Sequence, residues 1–290
     1  MASFERFFGL DVFGFSAKWS PYFIGFLILI LIGYYFWNWK SRANKVTNKQ
    51  SALFITSIFV LYLAYGSPID LLGHLIFSAH MTSMALGLLV APPLFILGVP
   101  AWMWERIIVQ PLRKMFSWMM HPILTLVLFN MLFSIYHFPV IHDKIMTIYW
   151  LHTVVYVILF ITSIMMWWHV TPPDPKYARL TDLRKMGYIF GTGFLLTPAC
   201  ALIIFTGSPM YATYSDPNVW IQALGFCVPG DVNVLLSDLG VGGPEFFSVL
   251  PPLHDQQLGG VIMKLVQEGI NAALLYYVFT NWYRKERETN

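Results

Sequence analysis

The sequence predicts an all-α integral membrane protein: a bundle of about seven transmembrane helices, N-terminus outside and C-terminus cytoplasmic. Three observations predict it. Of 290 residues, 57% are hydrophobic and 11% are Asp, Glu, Lys or Arg, whereas a soluble domain carries about 25% charge. The apolar residues gather into seven stretches near the roughly 20 residues that cross a hydrocarbon core. The basic residues gather in alternate loops. The net charge of +3 is small and scattered, which argues against nucleic acid as a partner.

The stretches cover about 21–39, 52–68, 71–97, 122–138, 145–168, 186–207 and 257–282. They make one multi-pass domain over 1–290 in the cell membrane. The first follows a charged, amphipathic start and is long enough to span, so it reads as a helix and not as a cleaved signal. Lys40, Arg42, Lys45 and Lys49 follow the first stretch; Arg106, Arg113 and Lys114 follow the third; Lys176, Arg179, Arg184 and Lys185 follow the fifth; Arg284, Lys285 and Arg287 close the chain. Between Met186 and Met263 there is no Lys or Arg. Cytoplasmic loops carry the Lys/Arg excess, and this alternation sets the orientation. Residues 208–254 become a long extracytoplasmic loop. Its GDVNVLLSDLGVGGPEFFSVLPP run is too rich in Gly and Pro for a long helix and reads as a connector, a lid or a docking surface. Cys200 and Cys227 form no CxxC pair, so no thiolate metal site is signalled, and Cys200 lies too deep for a disulfide.

Orientation gives depth. His74 falls near the outer end of the third helix and His80 lies about 9 Å deeper at 1.5 Å per residue. His137 ends the fourth helix, His142 lies in the following loop, His152 is two turns into the fifth, and His254 precedes the seventh. Six of eight histidines thus belong to the outer half. His121 and His169 sit at inner ends and read as interfacial, the latter beside Trp167 and Trp168 of an aromatic belt.

Helical phase gathers polar residues into stripes. On the third helix His74, His80, Met81 and Met84 share an arc of roughly 120°. Asn130, Ser134 and His137 share a face of the fourth, and Tyr149, His152, Tyr156 and Ser163 one of the fifth. Gln257, Lys264, Glu268 and Asn271 do so on the seventh. Lipid cannot hydrogen-bond such stripes, so four of them predict a shared polar chamber opening outward. The alternative for each histidine is a hydrogen bond between helices, and for each methionine plain packing. Imidazole suits copper, zinc or iron, and thioether selects Cu(I). Mixed His/Met ligands outside the reducing cytosol therefore point to copper more than zinc. Lys264 and Glu268, spaced i, i+4, read as an internal ion pair or as a relay into the chamber.

Four motifs carry a resemblance over nearly the whole chain: WSPYF, SAHM followed by APPLFILGVP, MMWWHVTPP, and HDQQLGGVIMK. The chain resembles the caa3-type cytochrome c oxidase assembly factors, the Gram-positive CtaG family. The resemblance implies maturation of that oxidase by supply or insertion of copper, and carries over His80, Met81, Asp255, Gln256, Gly259 and Gly260. It departs at Met84, where relatives often have a second His, and at Lys264, where they often have an aromatic residue.

The reading that follows is a non-enzymatic assembly factor. His80, Met81 and Met84, with His74, His152 or His254, would hold Cu(I). His137, His142, Tyr149, Tyr156, Asp255, Gln256, Gln257, Lys264 and Glu268 would line the chamber. Its partners would be an extracytoplasmic copper donor protein, oxidase subunits, the lipid bilayer and a possible second copy of the chain. Three alternatives stay open: a membrane haem-binding redox protein with His80 and His152 as axial ligands, a copper importer, and a metal-free scaffold for oxidase subunits.

Overall fold

The computed structural model describes residues 9–10, 13–42, 44–107, 118–225, 236 and 242–289. Arg113, Lys114 and Cys227 lie outside them. The helices are α1 (Phe15–Trp19), α2 (Pro21–Lys40), α3 (Asn48–Tyr65), α4 (Pro68–Leu75), α5 (Phe77–Ala85), α6 (Ala91–Gly98) and α7 (Ala101–Ile107). They continue with α8 (Pro122–Tyr136), α9 (Pro139–Met146), α10 (Tyr149–Trp167), α11 (Asp182–Phe205), α12 (Pro217–Leu224) and α13 (Pro252–Thr289). Among the described residues six helical segments are long and apolar enough to cross a membrane, and α8 with α9, bent by 77°, makes up to seven.

The third predicted span is not one helix. Residues 71–75 belong to α4, which continues the second span, and Ile76 is extended (φ −137, ψ 139) before α5 begins. Ser67 starts α4 by accepting from Ile69 N at 3.2 Å, with Pro68 in the first turn, where the missing N–H costs nothing. His74 and His80 therefore do not share a helical face, and the phase argument linking them fails. Pro139 likewise starts a new helix after the Tyr136–His137 end of α8. His142 is thus helical, where the sequence suggested a loop. The sixth span starts four residues early because Thr181 caps Arg184 N. The seventh extends to Thr289, since charged residues continue a helix that hydropathy cuts short.

Between α5 and α6 the chain makes a π-turn, Leu86–Val90. Pro92 has no N–H to give to Leu88 O, the acceptor four residues back. Ser163 Oγ (2.5 Å) and Trp167 Nε1 (3.2 Å) of α10 donate to that carbonyl instead. The carbonyl that Pro92 of APPLFILGVP leaves open is thus answered by Trp167 of MMWWHVTPP. Close approaches fix the packing elsewhere. A Cβ on Gly98 would lie 2.6 Å from Phe54 N, and one on Gly87 would strike the Tyr65 hydroxyl. The first span is peripheral, with only 6% of its window buried, and is tied to the bundle by Tyr34, which stacks on Phe54 at 4.0 Å and donates to Gly98 O.

Candidate functional site

At the α4–α5 break three imidazoles converge from three helices. The ring centroids of His80 and His142 are 5.1 Å apart, His80 and His137 6.0 Å, and His137 and His142 6.2 Å. All three are at most 2% exposed. His74 of α4 and His152 of α10 form a neighbouring pair at 5.4 Å. Tyrosines join the two groups. The Tyr156 hydroxyl lies 3.4 Å from His80 Nδ1 and the Tyr136 hydroxyl 3.3 Å from His80 Nε2. The Tyr156 ring lies 4.1 Å from that of His152.

The last helix holds this arrangement. The Asp255 carboxylate accepts from Phe77 N (2.7 Å) and Ser78 N (3.2 Å), and closely from the Ser78 hydroxyl. An anion thus caps the positive end of α5, one turn before His80. Gln256 donates to Ile203 O and accepts from Met210 N. A Cβ on Gly259 would lie 2.7 Å from Phe77 and one on Gly260 2.8 Å from Ile204. HDQQLGG is therefore a clamp: its acid caps the histidine helix, its amide ties two segments, and its glycines admit α5 and α11.

The segment Met210–Ser215 covers the cluster. Asp143 accepts from Ala212 N, Thr213 N and the Thr213 hydroxyl. Tyr211 donates to His137 O and Tyr214 to Gly73 O, both at 2.8 Å. Tyr214 has the His142 ring at 5.9 Å and also borders a cleft shared with Glu245, Ser248 and Asp255.

Several sequence expectations are corrected here. His254 is exposed, with Nδ1 3.4 Å from Gln257 Oε1, outside the cluster. Gln257 turns to Thr206 O. Tyr149 is 62% exposed. Met81 lies against Gly259, and Met84 is part of the apolar core. Lys264 and Glu268 pair at 2.6 Å on the bundle's flank, Glu268 55% exposed and Lys264 bonded to Thr197; they do not face the chamber. Sequence reasoning missed Tyr136, Asp143, Met146, Tyr211 and Tyr214. Only Met146 had a signal: it follows His142 by four residues, on one helical face. Its sulfur lies 3.7 Å from the Tyr136 hydroxyl.

The chemistry of the cluster rests on its unmet nitrogens. His137 Nδ1 lies 2.8 Å from Phe133 O, which fixes its N–H there and turns the lone pair of Nε2 inward. His137 Nε2, both nitrogens of His142 and His152 Nε2 are buried with no hydrogen-bond partner among the described residues. Each such atom costs about 1–3 kcal/mol. Imidazoles sharing one ion at a metal–nitrogen distance of about 2 Å place their centroids roughly 5–6.5 Å apart, the spacing found. The nitrogens do not converge as they stand: among the described residues no group of three or more His, Cys, Asp or Glu has the geometry of a metal site. His80 directs both nitrogens at tyrosine hydroxyls, and its ring must turn, about a torsion that is soft for imidazole, to join the other two.

A family model described as cytochrome c oxidase caa3 assembly factor matches residues 32–285. The matched region contains SAHM, APPLFILGVP, MMWWHVTPP and HDQQLGGVIMK, but not WSPYF. No curated protein and no solved structure gives a significant match.

Proposed function

We propose that this chain, which belongs to the caa3-type cytochrome c oxidase assembly factor family, serves that assembly by holding Cu(I) as cargo between His80, His137 and His142. The observation that carries the reading is the set of sealed imidazoles at shared-ion spacing with unmet nitrogens. Copper would come from an extracytoplasmic donor protein and pass to an oxidase subunit, the cluster facing outward as the Lys/Arg distribution orients it. His137 is pre-set as an Nε2 ligand by its backbone hydrogen bond, the usual device for orienting a metal-binding imidazole. Met146, whose sulfur lies 3.7 Å from the Tyr136 hydroxyl, supplies a thioether, a ligand that favours Cu(I). Tyr136 and Tyr156 occupy the nitrogens of His80 and release them on loading. Neutral ligands, with no thiolate, hold the ion loosely enough for exchange. A single ion suits this site better than a haem, because Phe77, Tyr136, His137, His142 and Tyr214 pack within 6.3 Å of the His80 ring and leave no slot for a macrocycle.

The test is copper content and absorption of the purified full-length protein after anaerobic loading with Cu(I), beside His80→Ala/His142→Ala. The expected result is bound Cu(I) in the wild type and at least one equivalent less in the variant at equal helicity and abundance, with oxidase activity lost in cells carrying the variant. Equal copper in both proteins would overturn the assignment.

A further inference from the structure

The three-histidine cluster is sealed, so an ion needs a way through the protein to reach it. His74 and His152 stand beside it with different surroundings. His74 Nδ1 lies 3.0 Å from Asp70 O, which places the ring N–H on the backbone and the lone pair on Nε2, as at His137. The Asp70 carboxylate is within electrostatic reach of the same ring. His152 Nε2 is buried without a partner among the described residues, yet the residue as a whole is partly exposed. It begins a face of α10 on which Thr153, Val154 and Val157 are exposed. The 5.4 Å between the two rings lies within the roughly 5–6.5 Å that two imidazoles adopt around one ion. Tyr156 connects the groups: its ring packs on His152 and its hydroxyl reaches His80.

We infer that His74 and His152 form a second, two-imidazole Cu(I) station through which the ion enters and leaves the sealed cluster. The inference rests on the Cu(I) reading above. Transfer is ligand exchange with no change of oxidation state. The Tyr156 hydroxyl leaves His80 Nδ1, the ring turns, and His80 displaces one imidazole of the pair before the second lets go. A net positive charge moves with the ion, and the Asp70 carboxylate draws it to the pair. The partly exposed edge of His152 gives a protein lying alongside α10 access to this station and not to the inner one.

The experiment uses the full-length protein with Cu(I) as probe, read as stoichiometry and as rate of transfer from a chromogenic Cu(I) chelator. Wild type is expected to bind two equivalents. His74→Ala/His152→Ala should keep one and fill it at least about tenfold more slowly, in line with the 10–100-fold effects of removing groups that support a metal site. His80→Ala/His137→Ala/His142→Ala should keep the other and fill it at the wild-type rate. Should the first double variant lose helicity, His152→Gln carries the test, since that side chain sits at the partly exposed edge. Unchanged stoichiometry and rate in the pair variants would overturn the second station while leaving the inner cluster standing, with access then on the Tyr214 side. A wild type that binds no Cu(I) would overturn both readings.

Discussion

Two polar layers of the same bundle differ in how their hydrogen bonds close. In the layer around the π-turn serines and Trp167 answer backbone carbonyls, while the Tyr65 hydroxyl has no partner among the described residues. Ser57 donates to Ala91 O, Ser83 to Ala64 O, and Ser163 and Trp167 share Leu88 O. Thr192 meets Asn271, and Gln267 donates to Thr192 O. At Leu88 O and Ala64 O the donors repair carbonyls whose partners four residues on are Pro92 and Pro68, as any membrane helix bundle requires. In the imidazole layer, four ring nitrogens have no partner among the described residues. Polarity inside a membrane therefore does not mark function by itself. A single unanswered atom does not either, since Tyr65, Trp102, His169 and Trp220 carry such atoms too; the imidazole layer is set apart because its unanswered nitrogens belong to rings gathered at shared-ion spacing.

That difference is tested first by removing the strongest repair. Trp167 is 1% exposed and fills the junction of α6 and α10. Trp167→Ala should cost about 3–5 kcal/mol, the range for emptying a buried aromatic site, measured by reversible unfolding in mixed micelles. The surviving folded protein should keep its copper stoichiometry. Loss of copper in protein that is still fully folded would show that the two layers are one.

Asp255→Asn has the next largest effect, because it acts on both. It removes the charge that caps α5, worth up to about 2 kcal/mol in a partly buried helix end. It also loosens the helix that carries His80, so Cu(I) affinity should fall roughly 10–100-fold, as it does when groups supporting a metal ligand are removed. Competition against a chelator of known affinity measures it. A stability loss with unchanged affinity would make Asp255 structural only. Asp143→Ala comes third. It frees Ala212 N and the Thr213 groups, at a cost of about 1–3 kcal/mol for the donors left open. Opening that cover should add a second exit on the Tyr214 side to the one through His74 and His152, so Cu(I) should leave faster, with little change in the number of ions bound. An unchanged release rate would mean that this cover takes no part in exchange.

The span count and the gathering of histidines toward one end were legible in the sequence because both depend on composition along the chain. The breaks were not. Nothing in LLGHLIFSAH announces that Ile76 is extended; the break is made by Asp255, 179 residues away, which caps the new helix. Once that break is present, His74 meets His152 and His80 meets His137 and His142, in place of one stripe down one helix. The seventh-helix stripe misled for a related reason. Phase places Lys264 and Glu268 on one face but does not say which neighbour that face meets, and here it meets α11 at the flank. Tyr211 and Tyr214 were invisible because they act from a loop, where no period exists to read.

The smallest expected effect draws the finest line between the layers. Ser163→Ala deletes one of the two donors to Leu88 O, but Trp167 Nε1 remains at 3.2 Å. The carbonyl stays satisfied, so the loss should be near the average of about 0.6 kcal/mol for hydrogen bonds between membrane helices. Cu(I) affinity and loading rate should not move. His152→Ala, on the same helix and three turns away, deletes no hydrogen bond of His152 Nε2, so it should cost less stability still while slowing loading. A change of copper affinity in Ser163→Ala would mean that α10 passes strain from the π-turn to its histidine. Independence of the two variants would mean that one helix carries two separate designs, one that closes the backbone and one that leaves a ligand open.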